Sequence, residues 1–202
     1  CKVNAYELDI MQQNLQEKGY TIVPFDEIAD IYIVNTCTVT NIADRKSRQM
    51  LHQAKKRNPE AVVVAVGCYV QTADEEALRE QGIDLAVGNN RKKDLIPILE
   101  KFLAEHKQEE DAIIDVNAPC DYEEMTLKHT AEHTRAYIKI QDGCNQFCSY
   151  CIIPYTRGPI RSAPVDVAVS QAQELARRGY REIVVTGIEI ASWGSDLPGK
   201  PV

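Results

Sequence analysis

Residues 144–154, CNQFCSYCIIP, place three cysteines within eight positions in the spacing C-x3-C-x2-C. A structural zinc site is closed by four protein ligands, whereas a catalytic metal keeps one position open. Three thiolates from one loop suit three corners of an iron–sulfur cubane and leave its fourth iron free. A free iron takes a ligand offering an amine and a carboxylate together, as the methionine end of S-adenosylmethionine does. An electron passed to the sulfonium then breaks a C–S bond and releases a 5′-deoxyadenosyl radical. Two plainer readings stand beside this one: a zinc knuckle completed by a distant fourth ligand, and three buried thiols.

The chain must hold that loop on something. From residue 1 to about 105 helices and apolar strands alternate. Leu8, Met11 and Leu15 mark one face of a helix over 5–18, closed by Gly19. The run IYIV (31–34) reads as a buried strand, followed by a helix over 42–57 that Pro59 ends. AVVVAV (61–66) is a second unbroken apolar strand. Thr72 and Glu75 have capping-box spacing for a short helix reaching Gly82. IDLAV (83–87) and a helix over 94–105 complete the set. Continuous Val/Ile strands separated by helices indicate a parallel sheet covered on both faces.

Residues 106–133 turn polar and read as a connector with a strand over 112–116. A new unit begins at RAYIKI (135–140), a strand that feeds the cysteine loop. A helix starting at Ser162 and Pro164 and ending at Gly179 leads to the strand EIVVTGI (182–188). That is one right-handed βαβ unit. It is too few strands to close a barrel, so the expectation is a second domain that this chain only begins, and a first strand missing ahead of Cys1.

Composition bounds the function. With 44% hydrophobic and 26% charged residues the chain is an ordinary globular sequence, and no apolar run approaches the length of a membrane span. A net charge of −7 gives no general attraction to nucleic acid, so RNA would have to be met by local basic surface. Seven cysteines, an odd number with no secretion signal, argue for reduced thiols in a cytoplasmic setting rather than a disulfide framework.

The loop CNQFCSYC resembles that of the radical S-adenosylmethionine superfamily, and the longer run DGCNQFCSYCIIPYTRGPIRS is similar to its methylthiotransferase branch. The resemblance covers nearly the whole chain. It implies that Cys144, Cys148 and Cys151 hold the catalytic 4Fe–4S cluster, and that the strand end TGIEIASWG, with Thr186 and Gly187, lies beside S-adenosylmethionine together with Tyr150. It also implies a second 4Fe–4S cluster on Cys1 (CKVNAYE), Cys37 (NTCTVT) and Cys68 (GCYVQ), whose open iron carries the transferred sulfur. The residues agree in part. Cys37 and Cys68 each follow the C-terminal end of an apolar strand, and such ends share one edge of an open α/β sheet, where ligands bind. Buried cysteines acting as small hydrophobes remain the alternative.

Within that branch the motifs look most like the enzymes that methylthiolate the C2 carbon of N6-threonylcarbamoyladenosine next to the tRNA anticodon. The isopentenyladenosine-modifying relatives and a non-catalytic iron–sulfur electron carrier are the alternatives. The implied partners are the tRNA anticodon stem-loop and an electron donor such as a flavodoxin or ferredoxin, with no membrane. The implied division is an auxiliary-cluster domain over 1–105, the connector over 106–133 and the start of a partial radical-SAM α/β barrel over 134–202.

Other residues weigh less. Arg157 and Arg161 follow the loop and are read as contacts for RNA phosphates. The basic stretches 44–49 and 55–57 read as a solvated helix face. Asn4 and Asn35 flank ligand cysteines, in turn or cap duty or as donors to cluster sulfur. His129 and His133 have i, i+4 spacing but no further ligands nearby, Trp193 and Tyr155 offer rings to stack or pack, and Cys120 reads as a free thiol.

Overall fold

A computed structural model of the chain describes residues 2–109, 111–118, 120–125 and 135–199. The expectations placed on Cys1, His129 and His133 fall outside them.

Helix α1 (Lys2–Glu17) buries Tyr6, Ile10, Met11 and Leu15, a stripe at helical spacing, and Gly19 follows it at φ +91°. Strands β1 (Ile31–Thr36), β2 (Val62–Gly67) and β3 (Leu85–Val87) form a parallel sheet in the order β1-β2-β3. Side chains alternate along β2. Val64 and Val66 face a core with Met11 and Leu15 of α1 and Leu95, Leu99 and Phe102 of helix α5 (Leu95–Glu105). Val63 and Ala65 face the opposite core, with Leu51 and Ala54 of helix α2 (Asn41–Arg57) and Leu78 of helix α4 (Glu75–Glu80). The sheet is thus covered on both faces, as its unbroken apolar strands predict.

The second unit pairs strand β4 (Ala136–Lys139) parallel to strand β7 (Ile183–Thr186) through helix α7 (Val165–Arg177), the expected βαβ unit. Between them lie a two-residue antiparallel ladder, β5 (Gln141–Asp142) with β6 (Arg161–Ser162), and a short helix α6 (Ile153–Arg157).

Two expectations about the elements are corrected. The strand read over 112–116 is a series of turns. Its backbone instead bonds Gly88 N–H to Ala112 O at 2.8 Å and Gln71 Nε2 to Ile114 O at 2.8 Å, and Asp115 bends the chain by accepting from Asn117 N–H. The capping box at Thr72 and Glu75 does not form. Thr72 ends helix α3 (Cys68–Thr72), bonded back to the Cys68 and Tyr69 carbonyls, and Asp74 caps α4 by accepting from Ala77 N–H at 2.8 Å. An Asx residue directly ahead of the first turn displaces a threonine two positions earlier.

The described end of the segment read as a connector, residues 122–125, touches both units. Tyr122 donates to Lys139 O at 2.5 Å, Lys93 N–H donates to Glu123 at 2.8 Å, and the Tyr6 hydroxyl bonds the Met125 carbonyl.

Candidate functional site

The cysteine loop is stapled at its base. Gly143 sits at φ +70°, and a Cβ there would lie 1.9 Å from Pro159 O, so only glycine allows the two ends of the loop to meet. Cys144 N–H donates to Gly158 O at 3.0 Å, and Asn145 Oδ1 accepts from Ile160 N–H at 3.1 Å. Gln141 Nε2 holds the carbonyls of Asp142 and Gly143 at 2.8 and 2.7 Å. From that base Cys144 is buried, Cys151 half-buried and Cys148 exposed, with Cys151 N–H bonded to Cys148 O at 2.9 Å.

The candidates around S-adenosylmethionine are placed less uniformly. Thr186 ends β7, accepting from Ile140 N–H at 2.9 Å, and Gly187 packs where a Cβ would lie 2.9 Å from Gln141 Oε1. That same oxygen accepts from Glu189 N–H at 2.8 Å, so Gln141 ties the 187–189 turn to the loop entry. Tyr150 is 92% exposed on the loop. Tyr155 lies edge-on to Phe147 at 5.9 Å while remaining 61% exposed, and Trp193 donates to Ala163 O at 3.0 Å.

At the sheet edge the register does the gathering. Thr36 pairs with Gly67, so the residues that follow, Cys37 and Cys68, leave neighbouring strands side by side. Thr36 Oγ1 donates to Val66 O at 2.7 Å and accepts from Tyr69 N–H at 3.2 Å, which joins the two cysteine-bearing ends. Ser47 of α2 accepts the Cys37 N–H at 2.9 Å. Asn4 and Asn35 exchange bonds, Asn4 Nδ2 to the carbonyls of Asn35 and Thr36 and Asn35 Nδ2 to Asn4 O, so the start of α1 is bound to the end of β1. Gly67, at φ +102°, has no room for a Cβ against Asn35 Oδ1 and Thr36 O, both 2.9 Å away.

A buried charge cluster lies between the two cysteine sites. Glu7 of α1 meets Lys92 at 2.5 Å, Arg157 at 3.0 Å and Lys139 at 3.3 Å, and Asp142 meets Lys139 and Arg157 at 3.0 Å each. Burial alone would push both carboxyls up; for Glu7 the Arg157, Lys92 and Lys139 charges outweigh it, and for Asp142 those of Arg157, Lys139 and Arg161. Both are held well below the usual carboxylate range. Burial would lower Lys139 and Arg157, but Asp142 and Glu7 reverse the sign and keep both protonated.

Both arginines read as phosphate contacts lie inside the fold rather than on its surface. Arg157 is 2% exposed, its guanidinium taken up by Glu7 and Asp142; Arg161 is 6% exposed, giving Nη2 to Arg157 O at 2.8 Å and Nη1 to the Cys120 sulfur at 3.4 Å. The paired carboxylates inside the fold explain why these cations turn inward. Glu7 and Asp142 stand inside the motifs CKVNAYE and QDGCN, beside the cysteines that drew attention, and that proximity was the available signal.

Among the described residues no three Cys, His, Asp or Glu side chains stand close enough together to hold a metal in this conformation. The donor set nevertheless suits iron: every described cysteine is a free thiol, three stand on one stapled loop, and two leave adjacent strand ends.

Comparison with known proteins places these features. Residues 1–88 match the model of an uncharacterized protein family, UPF0004, and residues 138–194 match the radical SAM superfamily. The chain is 39% identical over 97% of its length to a threonylcarbamoyladenosine tRNA methylthiotransferase, MtaB, of Aquifex aeolicus, covering 48% of that protein. It is 40% identical over 98% of its length to the MtaB of Bacillus subtilis, covering 44% of it, so the chain spans about half the length of the curated relatives it matches. A tRNA-2-methylthio-N(6)-dimethylallyladenosine synthase of Carboxydothermus hydrogenoformans is 31% identical over the full chain, which covers 47% of it. Among solved structures, a radical S-adenosylmethionine methyltransferase, TsrM, from Kitasatospora setae shares the fold at a TM-score of 0.57 and 16% identity, over 91% of this chain and 45% of that one.

Proposed function

We infer that the chain belongs to the radical S-adenosylmethionine methylthiotransferases, and that the protein it forms part of replaces the C2 hydrogen of a tRNA adenine with a methylthio group. The observation that carries this is the pairing of two separate thiol sites in one fold: a stapled C-x3-C-x2-C loop, and Cys37 and Cys68 on register-adjacent strand ends.

In this reading residues 1–105 form the auxiliary domain, 106–133 the connector and 134–202 the start of the radical-SAM core. Cys144, Cys148 and Cys151 hold one 4Fe–4S cluster, and Cys1, Cys37 and Cys68 hold the other. When bound, the loop cluster supplies the electron that splits S-adenosylmethionine and the auxiliary cluster supplies the sulfur. A radical route suits the substrate, because an aromatic C–H has no acidic proton for a base to remove. The hydrogen leaves on 5′-deoxyadenosine, and a second S-adenosylmethionine gives the methyl group. The chain's own residues orient these parts. Gly143 and Gln141 fix where the loop leaves the sheet, and Thr186 and Gly187 form the strand end beside it.

The substrate we propose is N6-threonylcarbamoyladenosine beside the anticodon, since the two relatives at 39% and 40% identity carry that name. The partners are the tRNA anticodon stem-loop and an electron donor such as a flavodoxin or ferredoxin. Among the described residues no helix is long and apolar enough to cross a membrane; the site of action we propose is the cytoplasm, because the proposed substrate is tRNA.

The test separates the trios in the whole protein. Replacing Cys1, Cys37 and Cys68 with alanine should leave 5′-deoxyadenosine formation intact and abolish methylthiolated tRNA. Replacing Cys144, Cys148 and Cys151 should abolish both. Methylthiolated tRNA at the normal rate from the first variant would refute the reading.

A further inference from the structure

Each of the three parallel strands delivers a residue to the same edge: β1 leads to Cys37, β2 to Cys68, and β3, through Gly88, to Asn89. Asn89 is buried. Its Nδ2 lies 2.5 Å from Thr156 O and 3.6 Å from the Cys68 sulfur, so one amide reaches both Cys68 and the helix that follows the cysteine loop. Thr156 belongs to α6, the helix that begins two residues after Cys151. Asn89 N–H donates to Gln71 Oε1 at 3.0 Å, and Gln71 in turn holds Ile114 O, so the backbone beneath the amide is fixed.

The amide has one orientation available. Turned over, its oxygen would face the Thr156 carbonyl, which can only accept, and a Cys68 sulfur that as a thiolate ligand would only accept as well. In the orientation present, Asn89 Oδ1 is buried with no partner among the described residues. Native folds pair nearly all such atoms, so an acceptor left bare to keep two donors engaged points to what the donors do.

We propose that Asn89 is a positioning residue for the auxiliary site: its N–H···S bond to Cys68 raises the reduction potential of the cluster held there, while its bond to Thr156 O joins that site to the helix leaving the catalytic loop. This rests on the reading of Cys37 and Cys68 as cluster ligands. Hydrogen bonds to coordinating sulfur stabilise the reduced, more negative state of an iron–sulfur cluster.

The test is an EPR-monitored redox titration of the anaerobically reconstituted chain, carried out also in a Cys144/Cys148/Cys151→Ala background so that the remaining signal belongs to the auxiliary site. Asn89→Leu removes the donor at similar volume, and Asn89→Asp replaces it with an acceptor. Both should make that cluster harder to reduce, by about tenfold in the reduced-to-oxidised ratio at fixed potential for Asn89→Leu, equivalent to about 59 mV for a one-electron couple. The loop cluster should titrate unchanged. An unmoved auxiliary potential in both variants, or an equal shift of both clusters, would overturn the proposal. Failure of any cluster to form in the triple-alanine background with Asn89 intact would instead remove the ligand reading on which it rests.

Discussion

Glu7 and Arg157, 150 residues apart in the chain, meet inside the protein through two hydrogen bonds of 3.0 and 3.3 Å. One stands on α1, the other at the end of α6 beyond the cysteine loop, so the pair fastens the unit built on the three-stranded sheet to the loop-bearing unit. Lys92, Lys139 and Asp142 complete the set. A buried ion cluster contributes little against an apolar replacement, but removing one member leaves the others uncompensated.

Glu7→Gln should therefore destabilise the chain by about 3–5 kcal/mol, because Lys92, Lys139 and Arg157 then lose the one carboxylate that all three meet. Urea denaturation followed by circular dichroism measures it. A loss below about 1 kcal/mol would mean that the cluster is solvated and does not join the units.

Stability should fall at both ends of the pH range for separate reasons. Burial would raise Glu7, but Arg157, Lys92 and Lys139 hold it below its unfolded value of about 4.3. Its contribution is then complete above about pH 5 and is lost as the pH falls toward the folded value, where the unfolded chain takes the proton first. Tyr6 behaves oppositely. Burial raises its phenol well above the unfolded value of about 10, so its contribution is complete below that pH and lost above it. The stability difference between wild type and Glu7→Gln should shrink below pH 4, and that between wild type and Tyr6→Phe should shrink above pH 10. A difference that stays constant with pH would contradict these assignments.

Two glycines with similar backbone angles should respond differently to alanine. Gly19 (φ +91°) has nothing within 4 Å of an added Cβ, so Gly19→Ala carries only the left-handed backbone cost, about 1–2 kcal/mol. Gly143→Ala meets Pro159 O as well and should part the base of the loop. Iron bound after reconstitution should fall in Gly143→Ala and stay at the wild-type level in Gly19→Ala. Equal iron in both would show that the staple does not shape the loop site.

Hydrogen exchange should rank the sheets. Val63, Val64, Ala65 and Val66 of β2 are fully buried between two helical layers, whereas among the described residues β7 pairs only with β4 and leaves Val185 half exposed. Amides of β2 should outlast those of β7. Equal protection would mean that a further element covers β7 in solution.

Much of the scaffold was legible because its cause is local. Unbroken apolar strands, Pro59 after α2 and glycines beyond α1 and α7 each act on their neighbours, and the parallel order follows from strand and helix alternation. The cysteine loop was legible for the same reason, its three thiols lying within eight residues. What sequence did not show was pairing at long range. Arg157 looked like a surface cation because its partner Glu7 is 150 residues away, and Asn89 drew no reading at all because its partners, Cys68 and Thr156, lie 21 and 67 residues off. The capping box failed on a local competition that spacing alone does not weigh, Asp74 against Thr72.

The central claim is that this chain holds two clusters on two separate sets of cysteines. The direct measurement is iron and sulfide per chain after anaerobic reconstitution, with Mössbauer spectra to identify cluster type. The account predicts about eight irons as two cubanes. It predicts about four when either Cys37 and Cys68 or Cys144, Cys148 and Cys151 are replaced by alanine. About four irons in the unmodified chain, or loss of all iron on replacing one set, would contradict it.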